Sequence, residues 1–460
     1  PAESSVGFKV DNPAIYFGEE ADNYAVVDSA TPEFDYPKGA DNAFAFYKGA
    51  GGIPVNGLWR RALFSYFFRD INLLVTENIV DQSKIMIRRN ITTRLSYLAP
   101  FLRLDSDPYI VLLNGRLVWI VDAYTTSDHN PYSQDIDGIN YIRNSVKAVI
   151  DAYDGTTTLY VADVADPVIQ TWEKIFPTMF KPMSSMSSEL RAHIRYPESF
   201  FNVQAAIYAT YHMTDPQVFY NREDQWDFAK ENYAGMTGPM QPYYTIMRLP
   251  GETHEEYILM LPMVPRGRDN MIAWMAARCD GADYGHLFEY SFSKDTLFYG
   301  PYQIQARINQ NPEISRQLSL WNQMGSKVIL GNLMVIPVQD SLVYVEPLYI
   351  RAENGQLPEL QRVIASYGDQ VVMGDTLPQT LSALFNGREG TVAPVVAQVA
   401  PAAPSNAGTP PTASLSPASS SSAANHYNRA LKALSAGNWT EFGSEMQQLG
   451  QDLGQNSPAH

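Results

Sequence analysis

Between residues 209 and 226 the chain gathers His212, Asp215, Asn221, Arg222, Glu223 and Asp224 among Tyr211, Phe219, Tyr220 and Trp226. A histidine near carboxylates can serve as a general base or a metal ligand. Just upstream, Arg191, His193 and Arg195 occupy alternate positions before Pro197. In an extended strand they would share one face. Further on, Arg266 and Arg268 precede Asp269 and Asn270 at what reads as a helix start. Two arginines beside a helix N-terminus suit an anionic group. Each set also has a plainer reading. The first two suit a buried polar network that braces loops against a sheet. In the third, Asp269 can cap the helix while the arginines pair with neighbouring acids. Both alternatives stay open.

Two acidic runs raise calcium as a cofactor. They are Asp105-Ser106-Asp107 and Ser133 to Gly138, which carries Asp135 and Asp137. The second fits an EF-hand loop at its first positions but offers Asn144 where a bidentate glutamate is required. Turn formation explains both runs equally well. No cofactor other than a divalent ion is expected. His-Glu-x-x-His, Gly-x-Ser-x-Gly, Cys–His and dinucleotide signatures are all missing from the sequence. Gly49-Ala50-Gly51-Gly52 lacks the Gly-Lys-Ser/Thr ending of a phosphate loop.

Composition narrows the field. The 460 residues carry a formal net charge of −16. Almost all of it lies in the first 390, because the remainder holds only Arg429 and Lys432 against Glu441, Glu445 and Asp452. Nucleic acid is therefore excluded as a partner, since phosphate backbones require clustered Lys and Arg. The single cysteine, Cys279, precludes an internal disulfide or a Cys-rich metal site. No apolar run approaches the roughly eighteen residues of a membrane span. The chain opens on Pro1 with no signal peptide and reads as a segment of something longer.

The elements that must position these residues are mixed. Residues 1–57 read as an extended N-terminal segment, with strand-like stretches at 14–17 and 24–27. Residues 58–98 read as helical, with Leu63, Phe64, Phe67, Ile71 and Leu74 at helical spacing and Arg60, Arg61 and Arg69 making the block basic. That block suits either a core helix with a solvated face or a face near lipid headgroups. Asn114-Gly115 between Tyr109–Leu113 and Arg116–Val121 predicts a hairpin with a type I′ turn. Asp154-Gly155, Pro250-Gly251 and Gln339-Asp340 each join a further strand pair. Helices are predicted over 166–176, 200–211 and 302–324, the last broken before Pro312, and over 270–278, which would place Cys279 at the end of an inert helical core. The fold class is α+β: a body over 58–390 with antiparallel sheets built from hairpins and interspersed helices. Residues 391–424, almost wholly Ala, Pro, Ser, Thr, Val and Gly, predict a disordered linker. Residues 425–453 predict a two-helix hairpin too small to stand alone.

Several of these blocks resemble uncharacterised protein family 0182, a family of bacterial integral-membrane proteins. They are Ile15-Tyr-Phe-Gly18, Leu58-Trp-Arg-Arg61, Ala99-Pro-Phe-Leu102 with Asp105-Ser-Asp-Pro-Tyr-Ile110, and Trp119-Ile-Val-Asp-Ala-Tyr-Thr-Thr126. To these add residues 138–146, 189–198 and 209–226, Met271-Ile-Ala-Trp-Met-Ala-Ala-Arg278 and Tyr344-Val-Glu-Pro-Leu-Tyr349. The likeness implies membrane helices first and a large extracytoplasmic region after them, of which this chain would be the soluble second half. Its partners would then be the membrane helices of its own full-length chain and, through 425–453, an envelope lipid, glycan or protein. The family has no assigned catalytic residues to carry over. Three functions follow as expectations: a module at the extracytoplasmic face that binds or guides an envelope component, an envelope hydrolase or transferase using carboxylates and histidine, or a structural scaffold.

Overall fold

A computed structural model describes residues 9–385, apart from 39–40, 294–295, 324, 339–340, 353–354 and 356, together with residues 429, 432, 444 and 448. The chain divides into residues 1–392 and residues 393–460. In the second unit the four described residues, Arg429, Lys432, Ser444 and Gln448, are helical and exposed. The linker and hairpin expectations otherwise lie outside the described residues.

In chain order the first unit carries β1 (Ala25–Val27), β2 (Glu33–Lys38), β3 (Asp41–Ala45), β4 (Ile53–Pro54), α1 (Leu58–Phe68), α2 (Asn72–Val75), β5 (Lys84–Met86) and α3 (Ile91–Leu98). Next come β6 (Arg103–Leu104), β7 (Tyr109–Leu113), β8 (Arg116–Ser127), β9 (Tyr141–Asp151), β10 (Thr157–Val161), α4 (Pro167–Ile175), β11 (Phe180–Pro182), α5 (Ser188–Ala192), α6 (Glu198–Tyr211) and α7 (Pro216–Asn221). The chain continues through β12 (Trp226–Phe228), β13 (Lys230–Tyr233), β14 (Met236–Pro239), β15 (Tyr243–Met247), β16 (Glu256–Pro265), β17 (Ala273–Arg278) and β18 (Leu287–Ser291). Then follow α8 (Pro301–Gln310), α9 (Pro312–Trp321), β19 (Ser326–Leu330), β20 (Met334–Val338), β21 (Ser341–Ala352), β22 (Glu359–Tyr367), β23 (Gln370–Gly374) and α10 (Leu377–Phe385).

The class is α+β, as the hairpins predict. Asn114 and Gly115 both adopt positive φ (51° and 78°), the type I′ geometry that matches strand twist. Three sheets carry the body. In the first, the order is β11-β10-β9-β8-β6 with β7 also on β8, and every pair but β10–β11 is antiparallel. One of its faces, with Val121, Ala123, Val146, Ala148 and Ile150, packs with residues of α3 and α4. The other, with Val118 and Ile120, packs on Leu190 and Ile194. The second sheet, β12-β16-β17-β18 with β15 on β16, is likewise covered on both sides. Leu259, Leu261, Met263 and Met275 face α6, while Ile258, Met260, Trp274 and Ala276 face α8, α9 and the third sheet. That third sheet runs β19-β21-β22-β23 with β20 on β21, and α10 closes its far side.

Three local expectations are corrected. Residues 270–278 are not a helix. Residues 273–278 form β17, a central strand whose Trp274, Ala276 and Met275 are buried on alternate faces, so its unbroken apolar run carries no period of two. Cys279 therefore follows a strand, where it is buried. Residues 58–98 are not one helical block. Arg69, at φ 56°, closes α1, and β5 pairs with β1 and β4, with Ile85 and Met86 entering different cores. Residues 14–17 form no strand; Tyr16 and Phe17 instead donate to Ala152 O at 2.9 Å each, docking on the turn after β9.

Candidate functional site

The helix α6 organises the most distinctive surface of the body. Its apolar residues fall on more than one side, interrupted by Glu198, Ser199, Asn202 and Gln204. Phe201, Ala205 and Ala209 point inward against the second sheet. The opposite side, with Val203, Ala206 and Ile207, is only half-buried. It lines two adjoining cavities of about 450 and 410 Å³. Ile136, Ile139, Ile142 and Val203 line both, so the two spaces form one groove between α6 and the loop joining β8 to β9.

That loop is held by turn chemistry. Ile136 and Ile139 exchange backbone hydrogen bonds (2.8 and 3.1 Å) around Asp137 and Gly138, both at positive φ. Asp135 Oδ1 accepts from Gly138 N at 3.2 Å, and Ser133 Oγ donates to Asn140 O at 2.6 Å. The Ser133 and Asp135 oxygens thus brace a small hairpin that presents isoleucines to the groove. Among the described residues no group of three or more His, Cys, Asp or Glu is placed to hold a metal ion.

The groove has a polar end at the N-terminus of α6. Tyr124 donates its hydroxyl to Asp105, which also accepts from Ser199 N (3.2 Å) and Asp107 N (2.8 Å). Tyr124, Ser106 and Ser199 line the larger cavity, and the two serine hydroxyls lie 3.2 Å apart. Arg195 pairs with Asp107, and its guanidinium lies 4.0 Å from the Tyr109 ring centre and 4.5 Å from that of Tyr244. Stacking of this kind fixes a cation that is largely removed from water. Glu198, the first residue of α6, is half-buried. Burial, with Asp107 and Asp105 adding repulsion against the opposing Arg195, pushes its carboxyl up to about 7. A carboxyl so poised can give or take a proton near neutral pH.

Beneath this end lies a fully buried ion pair. The register of β8 and β9 sets Asp122 opposite Lys147, with side chains 3% and 1% exposed. Lys147 donates to Asp122 and to Tyr284 Oη at 2.9 Å; with the Asn144 side-chain amide oriented to satisfy its neighbours, Lys147 also donates to the Asn144 carbonyl at 2.9 Å and the Asn144 amide donates to Asp122 Oδ1 at 3.1 Å. All three ammonium hydrogens are therefore used. Burial alone would lower the lysine, but the Asp122 carboxylate and the surrounding Tyr284 and Tyr109 outweigh it and hold Lys147 protonated.

Of the histidine, arginine and carboxylate sets singled out in the sequence only Arg195 belongs to this cluster, where it meets Asp105, Ser106 and Asp107 of the first acidic run. Arg191 sits in α5, a helix capped by Ser187 through Leu190 N (3.2 Å), and donates to Met183 O; His193 closes the same helix, exposed. The alternate-face reading of Arg191, His193 and Arg195 is thus replaced by a helix followed by a loop. His212 stacks on Trp226 at 3.8 Å with Nδ1 3.1 Å from Tyr208 O. Asp215 caps α7, accepting from Gln217 N (2.8 Å) and Val218 N (3.0 Å). Asn221 donates to Glu223 at 2.8 Å, Arg222 adopts φ 54° to end α7, and Asp224 follows half-buried in the same turn. Arg266 donates to Gln225 at 2.7 Å, and Arg268 N bonds Pro265 O at 3.0 Å in a turn. Sequence reasoning missed Asp122, Lys147, Tyr284 and Glu198. A lysine inside Val146-Lys-Ala-Val-Ile150 and an aspartate inside Trp119-Ile-Val-Asp-Ala123 were the available signal.

Comparison with known proteins places the chain. Residues 1–321 match the model of an uncharacterised protein family, UPF0182. The chain is 52% identical over 463 residues to a UPF0182 protein of Bradyrhizobium diazoefficiens, covering 99% of this chain and 49% of that relative. It is 51% identical over 456 residues to one from Cupriavidus necator, with 98% and 48% covered. A third, from Pelotomaculum thermopropionicum, is 47% identical over 454 residues, with 98% and 49% covered. No solved structure matches. The chain spans about half the length of these curated relatives. It belongs to the UPF0182 family.

Proposed function

We propose that this UPF0182 chain is the extracytoplasmic region of a bacterial integral membrane protein, and that it holds an amphiphilic envelope component, a lipid above all, in the groove along α6. The groove itself carries the reading. Its walls are chiefly isoleucine, valine and aromatic rings, with Arg103, Arg143, Asn140, Asn202 and Gln204 among them, while Ser106, Ser199 and Tyr124 stand at one end beside the Arg195–Asp107 pair. Apolar walls with a few convergent polar groups are what a small-molecule site requires. No described helix is long and apolar enough to cross a membrane, so in this reading the spanning helices belong to the remainder of the protein. The test is native mass spectrometry of the purified chain beside Val203→Trp, which adds bulk at a residue lining both cavities. The unaltered chain is expected to retain an amphiphile that Val203→Trp loses without a fall in melting temperature. Retention of nothing by the unaltered chain, or equal retention by both, would refute the assignment.

One observation favours a second reading, an envelope hydrolase or transferase. Glu198 has a carboxyl near neutrality and electrostatic contact with Arg195, Asp107 and Asp105, and its chain neighbour Ser199 lines the larger of the two cavities. Turnover that vanishes in Glu198→Gln while the amphiphile is still retained would select it.

A further inference from the structure

The pair α1–α2 is apolar on its outward side as well as its inward one. Its inward side carries Ser65, buried, and Arg61, whose Nε donates to Leu73 O at 3.1 Å, together with Phe64, Phe68 and Leu73 packed against Val55, Ile79 and Ile85. Its outward side carries Leu58, Trp59, Leu63, Tyr66 and Phe67 on α1, then Ile71 and Val75 around α2. These seven are between 50% and 86% exposed. Positions 59, 63, 66 and 67 fall on one stripe of α1, and beyond the break at Arg69 the exposed Ile71 and Val75 lie one turn apart at α2. Soluble domains rarely present a contiguous apolar surface of this kind unless something covers it. Trp and Tyr, with apolar rings and polar tips, are the side chains favoured at a membrane–water boundary. Arg60 and Arg69 flank the stripe, both exposed. The adjacent Asp70 accepts from the Tyr24 hydroxyl at 2.5 Å and from Asn72 N at 2.9 Å; these bonds favour its ionised form, so it offsets one of the two positive charges. The rim that remains is net positive on a chain of net charge −16, which is complementary to anionic headgroups.

From this we infer that α1–α2 is an interfacial membrane anchor, its apolar stripe seated in the headgroup–acyl boundary of an anionic bilayer. Trp59, Tyr66 and Phe67 enter the boundary, and Arg60 and Arg69 meet phosphate. A second copy is a poorer occupant, because a self-complementary interface would bring the arginines of both copies into one small patch. The inference rests on the membrane placement proposed above but not on the groove.

The test is flotation of the full chain with vesicles of phosphatidylcholine alone or mixed with phosphatidylglycerol. Binding is expected with the mixed vesicles and weaker by about tenfold with the neutral ones. Tyr66→Glu with Phe67→Glu changes only exposed positions, so its melting curve should match that of the unaltered chain while flotation is lost. Arg60→Glu with Arg69→Glu should erase the preference for phosphatidylglycerol. The anchor is overturned if the unaltered chain floats with neither vesicle, or if Tyr66→Glu with Phe67→Glu floats equally well. It is also overturned if light scattering shows a dimer that this double variant dissolves. Fractionation of the full-length protein reports the membrane placement separately, so a soluble full-length protein would sink that placement, whereas a membrane-bound one that fails the flotation test sinks only the anchor.

Discussion

Glu346 offers the sharpest quantitative test of how this fold is held. It lies on β21 at 0% exposure. Its Oε1 accepts from Gln305 Nε2 at 2.6 Å, and Gln305 also clasps Asn232 through N (2.6 Å) and O (3.1 Å). Its Oε2 is buried with no hydrogen-bond partner among the described residues. Burial, against the help of Gln305 and with repulsion from Glu231, pushes the carboxyl from 4.5 up to about 7. In that window the folded chain binds the proton that the unfolded chain has released, so stability falls as pH rises from about 4.5 and the loss is complete above about 7. The gap corresponds to on the order of 3 kcal/mol. Glu346→Gln keeps the acceptor for Gln305 and replaces the unpartnered oxygen with a neutral amide. Urea unfolding of both proteins at about pH 5 and about pH 8 should therefore show the variant gaining on the unaltered chain by on the order of 3 kcal/mol between the two conditions. An equal difference at both pH values would refute the claim that the buried carboxyl is held protonated.

Lys147→Met strands Asp122 as an uncompensated buried charge and should cost on the order of 3–5 kcal/mol by thermal unfolding, with Asp122→Leu in the same chain restoring part of it. Gly155→Ala should lower stability by about 2 kcal/mol in denaturant titration, because the residue sits at φ +72° and a Cβ would meet the Phe17 ring at 2.5 Å. Cys279 is buried, and burial pushes its thiol up to about 11, so alkylation at neutral pH should be slow in the native chain and rise sharply on unfolding.

Legibility in the sequence tracked how local each determinant is. Asn114-Gly115 signals its own turn, and Asp166 caps α4 through Val168 N (3.0 Å) and Ile169 N (3.2 Å), so both were readable at short range. The strand β17 was not. A strand buried on both faces loses its alternation, and Met-Ala-Ala suits a helix until β16 and β18 enclose it. The site failed for a related reason. Arg195 is legible as a candidate, but its partners Asp107 and Tyr244 lie far away along the chain, so only the fold brings them together. Lys147 and Asp122 were hidden because a charge inside an apolar strand has meaning only once the register of β8 against β9 is known.

The helices α1 and α6 have the same excess. Each carries more apolar surface than the fold uses. On α6 the inner side suffices to cover the second sheet, yet Val203, Ala206 and Ile207 line an open groove. On α1 the inner side suffices to close a small core, yet Trp59, Tyr66 and Phe67 face outward. Folding stability supplies no reason to keep such residues, since an exposed aromatic contributes little to burial and favours association. Substituting polar residues at these positions is therefore expected to leave stability unchanged or improved. A cost that appears only when lipid is present would identify the bilayer, or an amphiphile drawn from it, as what these two helix surfaces are built to meet.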